Sequence, residues 1–188
     1  NDQHIIYNSV SISDFYPTRK IPAKNIEFKM LCIEGTINGA PAITILRSIN
    51  DVEVNIYGEV SKEVLKSFDE IPKRNIVFKG IVDRSKVPDK LAGLKIFLNL
   101  ETNPPCPNAV IEAMASGVPI VGFDSGSLKE LVGDAGIVLP YGAGNPWSLT
   151  PPDCTLLDEA IKDIICNYDN YSSAARRRAE RIFSLDTM

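Results

Sequence analysis

The sequence predicts an α/β protein built on a single doubly wound parallel sheet of about six strands, with helices on both faces. Three observations predict it. Short apolar runs bounded by turn residues recur at 29–34 (KMLCIE), 52–57 (VEVNIY), 75–79 (NIVFK), 94–100 (LKIFLNL), 118–123 (VPIVGF) and 136–139 (GIVL), as buried strands do. Segments of helical period separate them, and strands that alternate with helices build parallel sheets through helical crossovers. The most tightly framed unit, residues 104–119 (PPCPNAVIEAMASGVP), has Pro107 suited to a first helical position and Gly117 suited to a left-handed stop, with Pro119 beyond it. The layout is Rossmann-like.

Composition limits the function classes. With 188 residues the chain can bury one good core, and 44% apolar with 23% charged residues is ordinary for a soluble globular protein. A net charge of -4 argues against a nucleic-acid binder working by general electrostatics. Cys32, Cys106, Cys154 and Cys166 form no CxxC pair, so they predict reduced thiols in a cytoplasmic protein, with neither a zinc site nor a disulfide framework. No apolar run approaches the roughly 18 residues of a membrane span, and NDQHIIYN is not a signal peptide. A first residue other than Met suggests a fragment.

In chain order, residues 1–24 hold Pro17, Pro22 and no sustained period, which predicts a linker; residues 25–188 form the domain. His4, the lone histidine, falls in the linker. After the first strand comes the turn Gly35, Thr36, Ile37, Asn38, Gly39, whose glycines let backbone approach a phosphate, and then a helix opening near Ala40 and Pro41. The strand at 52–57 ends at Gly58, a helix covers 61–68, and the strand at 75–79 ends at Gly80. Lys79, Arg84 and Lys86 cluster beside that turn, either as a solvated loop or as cations for a ligand. A helix over 87–93 leads into the strand at 94–100.

Ligands of such sheets bind at the carboxyl ends of the strands, where helix N-termini offer free N–H groups to anions. The turn at Cys106 sits at such an end. Glu112 lies five residues beyond Pro107, roughly 7.5 Å along the axis, so its carboxylate is either beside a ligand or an ordinary surface glutamate. Past 118–123, Ser127 and Glu130 have capping-box spacing for a short helix ending near Gly133. Residues 140–152 break every period and form a loop. Apolar positions 156, 157, 160, 161, 164 and 165 then mark an amphipathic helix framed by Thr155 and Asp158. A last helix covers 172–183, and its run Arg176, Arg177, Arg178 reads as a solvated face or as a contact for a membrane surface or partner.

The run PCPNAVIEAMASGVPIVGFDSGSLKELVGDAGIVLP resembles the C-terminal donor-binding domain of group 1 glycosyltransferases, retaining enzymes of the GT-B fold. The piece NSVSISDFYP resembles that family's passage from acceptor domain to donor domain. The resemblance implies a metal-free site, without cofactor, for a nucleotide-diphosphate sugar. Glu112 would grip the ribose, Cys106, Pro107, Asn108 and Gly126 would meet sugar or phosphate, Glu130 would match a family glutamate, and Gly80, Ile81 and Val82 would cradle the base. Gly35, Thr36 and Asn38 would face the diphosphate. No catalytic residue is assigned.

Three positions depart from the family pattern. An Arg and a Lys that clamp the diphosphate are Thr36 and Asn38 here, and the acidic residue that precedes Glu112 by seven intervening residues is Pro104, with Glu101 nearby. Loss of two cations facing a diphosphate costs several kcal/mol of binding and leaving-group stabilisation. The implied partners are the donor and an N-terminal acceptor-binding domain of the same protein, with peripheral membrane contact through that longer protein and no nucleic acid. The chain alone would bind donor without turnover. The alternative is a degenerate GT-B module acting as a non-catalytic subunit or scaffold; a dinucleotide oxidoreductase is disfavoured because no GxGxxG follows the first strand.

Overall fold

A computed structural model describes residues 7–17, 29–37 and 39–187. Strands β1 (Lys29–Ile37), β2 (Glu53–Val60), β3 (Ile76–Gly80), β4 (Ile96–Leu98), β5 (Ile120–Phe123) and β6 (Gly136–Leu139) pair in parallel in the order β3-β2-β1-β4-β5-β6. Helices α1 (Gly39–Ser48), α2 (Lys62–Glu70), α3 (Val87–Ala92), α4 (Asn108–Ala115), α5 (Leu128–Val132), α6 (Leu157–Cys166) and α7 (Tyr168–Arg178) fill the connections and the C-terminal part. The strands run outward from β1 to β3, and the chain then returns to the other side of β1. The carboxyl ends of β1 and β4 therefore flank the point where the winding reverses.

Alternation along the short strands sorts the helices onto two faces. Ile96 and Leu98 of β4 belong to a core shared with α1, α2 and α6. Phe97 between them belongs to a second core, built with α3, α4, α5 and α7. The α/β class with parallel strands and layered helices agrees with the sequence expectation. Among the described residues no helix is long and apolar enough to cross a membrane.

Several boundaries differ from expectation. β1 continues through Gly35 and Thr36 to Ile37, because pairing with β2 resumes at Thr36 and Ile37 after a register shift beyond Ile33. Those residues are strand and not turn. β2 likewise passes Gly58 (φ 115) and ends at Val60. Thr155 and Asp158 do not frame α6: the Thr155 hydroxyl donates to Asp153 (2.5 Å), Asp158 accepts from Asn50 (2.9 Å), and Leu156 precedes the helix. α7 begins four residues before 172 and loosens into a π turn, Ala179–Phe183.

The arginine run is not a solvated face. Arg176 donates to the carbonyls of Phe15 (2.6 Å) and Ala115, and Arg178 donates to those of Leu131 (2.5 Å) and Glu130 (2.6 Å). Of the three, only Arg177 is exposed. The described part of the predicted linker, residues 7–17, is docked on the domain. Phe15 is buried in the second core, Val10 N–H donates to Phe183 (2.8 Å), and Leu185 N–H donates to Val10 (3.1 Å). His4 and Asn38 lie outside the described residues.

Candidate functional site

The predicted site gathers around α4. Pro107 (φ -69, ψ 113) stands one position before the helix and not at its first turn, and the first intrahelical bond runs from Ile111 N–H to Pro107 (3.4 Å). The amides of Asn108, Ala109 and Val110 thus precede the helical ladder, at the end where the dipole is positive. At the other end Gly117 (φ 70) closes the helix as the sequence implied: Val118 N–H donates to Ala113 (2.9 Å) and Gly117 N–H to Met114 (2.9 Å). Residues 109–115 are all buried, since α4 lies between the sheet and its neighbours α3 and α7.

Glu112 is one of those buried residues, 5% exposed, so it is no surface glutamate. Its carboxylate accepts from Arg84 (2.5 Å), whose side chain is 77% exposed. Burial pushes the Glu112 carboxyl above its ordinary value, outweighing the charge and hydrogen bond of Arg84, which pull it down. The pair joins a buried acid on α4 to a mobile-length cation on the turn after β3. The 28 residues between them explain why spacing did not reveal it.

Two loops at the carboxyl edge are laced together. Ser127 donates from both its amide (2.9 Å) and its hydroxyl (3.0 Å) to the Pro104 carbonyl, and Ser125 accepts from Asn103 N–H (3.2 Å). Gly126 (φ 57) permits this approach: a Cβ there would stand 2.4 Å from the Pro104 oxygen. The predicted capping box is therefore absent. The Ser127 hydroxyl is spent on Pro104, and Glu130 accepts a short hydrogen bond from the Tyr7 hydroxyl. At the head of α4, Asn8 Nδ2 donates to the Cys106 carbonyl (3.0 Å) and to Asn108 Oδ1 (2.9 Å).

The structure thus ties Cys106, Pro107, Asn108, Gly126 and Glu130 into one set through the loops after β4 and β5 and the side chains of Tyr7 and Asn8, while Glu112 lies farther along α4 and bonds Arg84. Gly80 (φ 74) ends β3, Ile81 is 81% exposed, and Val82 packs on the second core; Asp83 then caps the turn Arg84–Lys86 that carries Arg84 to Glu112. Gly35 and Thr36 are known here as backbone of β1 only. Sequence reasoning missed Tyr7 and Asn8, and also Asn99, buried at the end of β4 with its Oδ1 unpartnered among the described residues. Among the described residues no three His, Cys, Asp or Glu side chains cluster as metal ligands.

Residues 36–150, more than half of the chain, match the family described as glycosyl transferases group 1. No curated protein sequence matches the chain. Among solved structures, sucrose-phosphate synthase from Thermosynechococcus elongatus is similar at TM-score 0.73 and 18% identity, covering 96% of this chain and 48% of its own. HepE from Anabaena, in complex with UDP and glucose, gives 0.72 and 18%, with 98% and 54% covered. The C-terminal domain of the group 1 family protein LpcC from Francisella tularensis gives 0.66 and 17%, with 94% and 99% covered. At these identities the likeness shows the fold alone. The chain spans about half the length of the first two structures and nearly all of the third.

Proposed function

The chain belongs to the group 1 glycosyltransferases, and from that premise we propose that it is the donor-binding domain of a retaining enzyme that moves a sugar from a nucleotide-diphosphate sugar to a glycan, lipid or other acceptor. The observation that carries the reading is Glu112: a buried carboxylate in the middle of α4, with one exposed cation as its partner. A carboxylate of this kind accepts both hydroxyls of a ribose, which replace the Arg84 hydrogen bond as the ligand enters.

Arg84 then turns to the diphosphate, supplying a cation that Thr36 and Asn38 lack. The amides at the head of α4, from Cys106 and Asn108 onward, and that of Gly126 receive phosphate or sugar oxygens, while Gly80, Ile81 and Val82 hold the base. Gly35, Thr36 and Asn38 face the diphosphate, and Glu130 takes the place of the family's glutamate beside the Gly126 loop that lies against the phosphates. Positive dipole and cations stabilise the departing diphosphate, so no metal is required. Residues 1–24 form the passage from an acceptor-binding half, and residues 25–188 form the donor domain.

The test is thermal unfolding with UDP-, GDP-, ADP- and CMP-linked sugars, with Glu112→Ala beside the parent. A ligand at about 100 times its dissociation constant adds roughly 2.7 kcal/mol, a shift of several degrees in a domain this size. A shift with one base that the variant loses supports the donor site and identifies its nucleotide. No shift with any donor at millimolar concentration refutes it in favour of the non-catalytic module.

A further inference from the structure

Two adjacent side chains of the docked N-terminal segment reach separate walls of the donor site. Tyr7 donates its hydroxyl to the Glu130 carboxylate, and Asn8 donates to both the Cys106 carbonyl (3.0 Å) and Asn108 Oδ1 (2.9 Å). The segment holding them is itself fixed. The Tyr7 ring stands edge-on to Phe183 at 5.5 Å, Val10 pairs with the backbone of 183–185, and Arg176 binds the Phe15 carbonyl (2.6 Å). We propose that Tyr7 and Asn8 are positioning residues for the phosphate-binding part of the donor site, an inference that rests on the donor-site reading above.

The physical argument concerns what these groups do when unheld. A carbonyl oxygen at the head of a helix carries negative partial charge and repels an incoming phosphate; the Asn8 amide engages the Cys106 carbonyl and offsets that charge. An asparagine in a first helical turn readily folds its side-chain oxygen onto nearby backbone amides. Asn8 holds the Asn108 oxygen instead, leaving the amides of Asn108, Ala109 and Val110 open to a ligand. Tyr7 fixes the orientation of Glu130 in the same way. Binding of a diphosphate and docking of residues 7–15 are then coupled, each strengthening the other by the same factor.

Calorimetric titration tests this on the 188-residue chain, using UDP, GDP and ADP and their parent nucleosides. The variants are Asn8→Ala, Asn8→Asp and Tyr7→Phe, with Tyr16→Phe as the control, since the Tyr16 hydroxyl bonds Asp89 (3.0 Å) from the same segment. Asn8→Ala should weaken the diphosphate that binds by about tenfold and leave its nucleoside unchanged, the loss expected of one to two hydrogen-bond contributions. Asn8→Asp, which cannot donate and adds a negative charge, should lose more, Tyr7→Phe roughly threefold, and Tyr16→Phe nothing. Unchanged diphosphate affinity in the Asn8 and Tyr7 variants overturns the inference, as does an equal loss for nucleoside and diphosphate. A parent chain that binds none of the nucleotides overturns the donor-site reading and this inference with it.

Discussion

Replacing Arg176 with Met tests whether the C-terminal helix is clamped through one guanidinium. Its side chain is 22% exposed and donates to Phe15 (2.6 Å), to Ala115 at the last turn of α4, and to Glu180 (2.6 Å), with a longer contact to Ile12 (3.5 Å). A charged donor to a buried carbonyl contributes about 1.5–3 kcal/mol. The Glu180 pair, half exposed, adds about 0.5 kcal/mol after solvent screening. Allowing for non-additivity among bonds that share one side chain, Arg176→Met should cost about 3–5 kcal/mol. For a chain of this length that lowers the melting midpoint by on the order of 10 °C.

The assay is urea and thermal unfolding of Arg176→Met beside Arg177→Met, its exposed neighbour, which should stay within about 0.5 kcal/mol of the parent. Arg176→Lys should recover less than half of the loss, because the shorter lysine stem leaves its ammonium short of the Nη1 position that bonds both carbonyls, and it cannot replace the separate Nε bond to Glu180 at the same time. An Arg176→Met protein within about 1 kcal/mol of the parent, or equal to the Arg177 variant, would refute the clamp.

Two further outcomes follow from the site. Gly126→Ala places a Cβ 2.4 Å from the Pro104 oxygen at φ 57, so strain and displacement together should cost about 2–4 kcal/mol and raise the amide exchange rate of Ser127, measurable by hydrogen exchange; an unchanged midpoint would contradict the laced loops. Burial raises the Glu112 carboxyl above its ordinary 4.5, so the stability it contributes is fully present below pH 4.5 and lost as pH rises through the folded value. Glu112→Gln should remove that loss: the variant gains on the parent across this window and the difference flattens above it. Parallel unfolding curves for the two proteins would show that Glu112 is not desolvated.

The sheet and α4 were legible because their signals are local. Buried strands read as apolar runs, and Gly117 with Pro119 marks a stop that hydrogen bonds from Val118 and Gly117 complete. The same local reading failed where a distant partner competed for the group. Ser127 and Glu130 have the spacing of a capping box, yet Pro104 and Tyr7 take their side chains, the latter from 123 residues away. The charges of Arg176 and Arg178 suggested solvent, whereas carbonyls at the ends of α4 and α5 take them. Gly35 resembled a turn, but continued pairing with β2 keeps the strand going past it. Glu112 was visible as a candidate; its partner Arg84 was visible only as one of three clustered cations.

The pairing of Val10 with Phe183 and Leu185 joins opposite ends of the described chain. A parallel contact of this kind has no turn to template it and gains nothing until everything between is in place. It therefore zips last in folding and parts first under stress. Residues 183–185 must have left the ribosome before residues 7–15 can settle, and until then the two walls they touch remain untied.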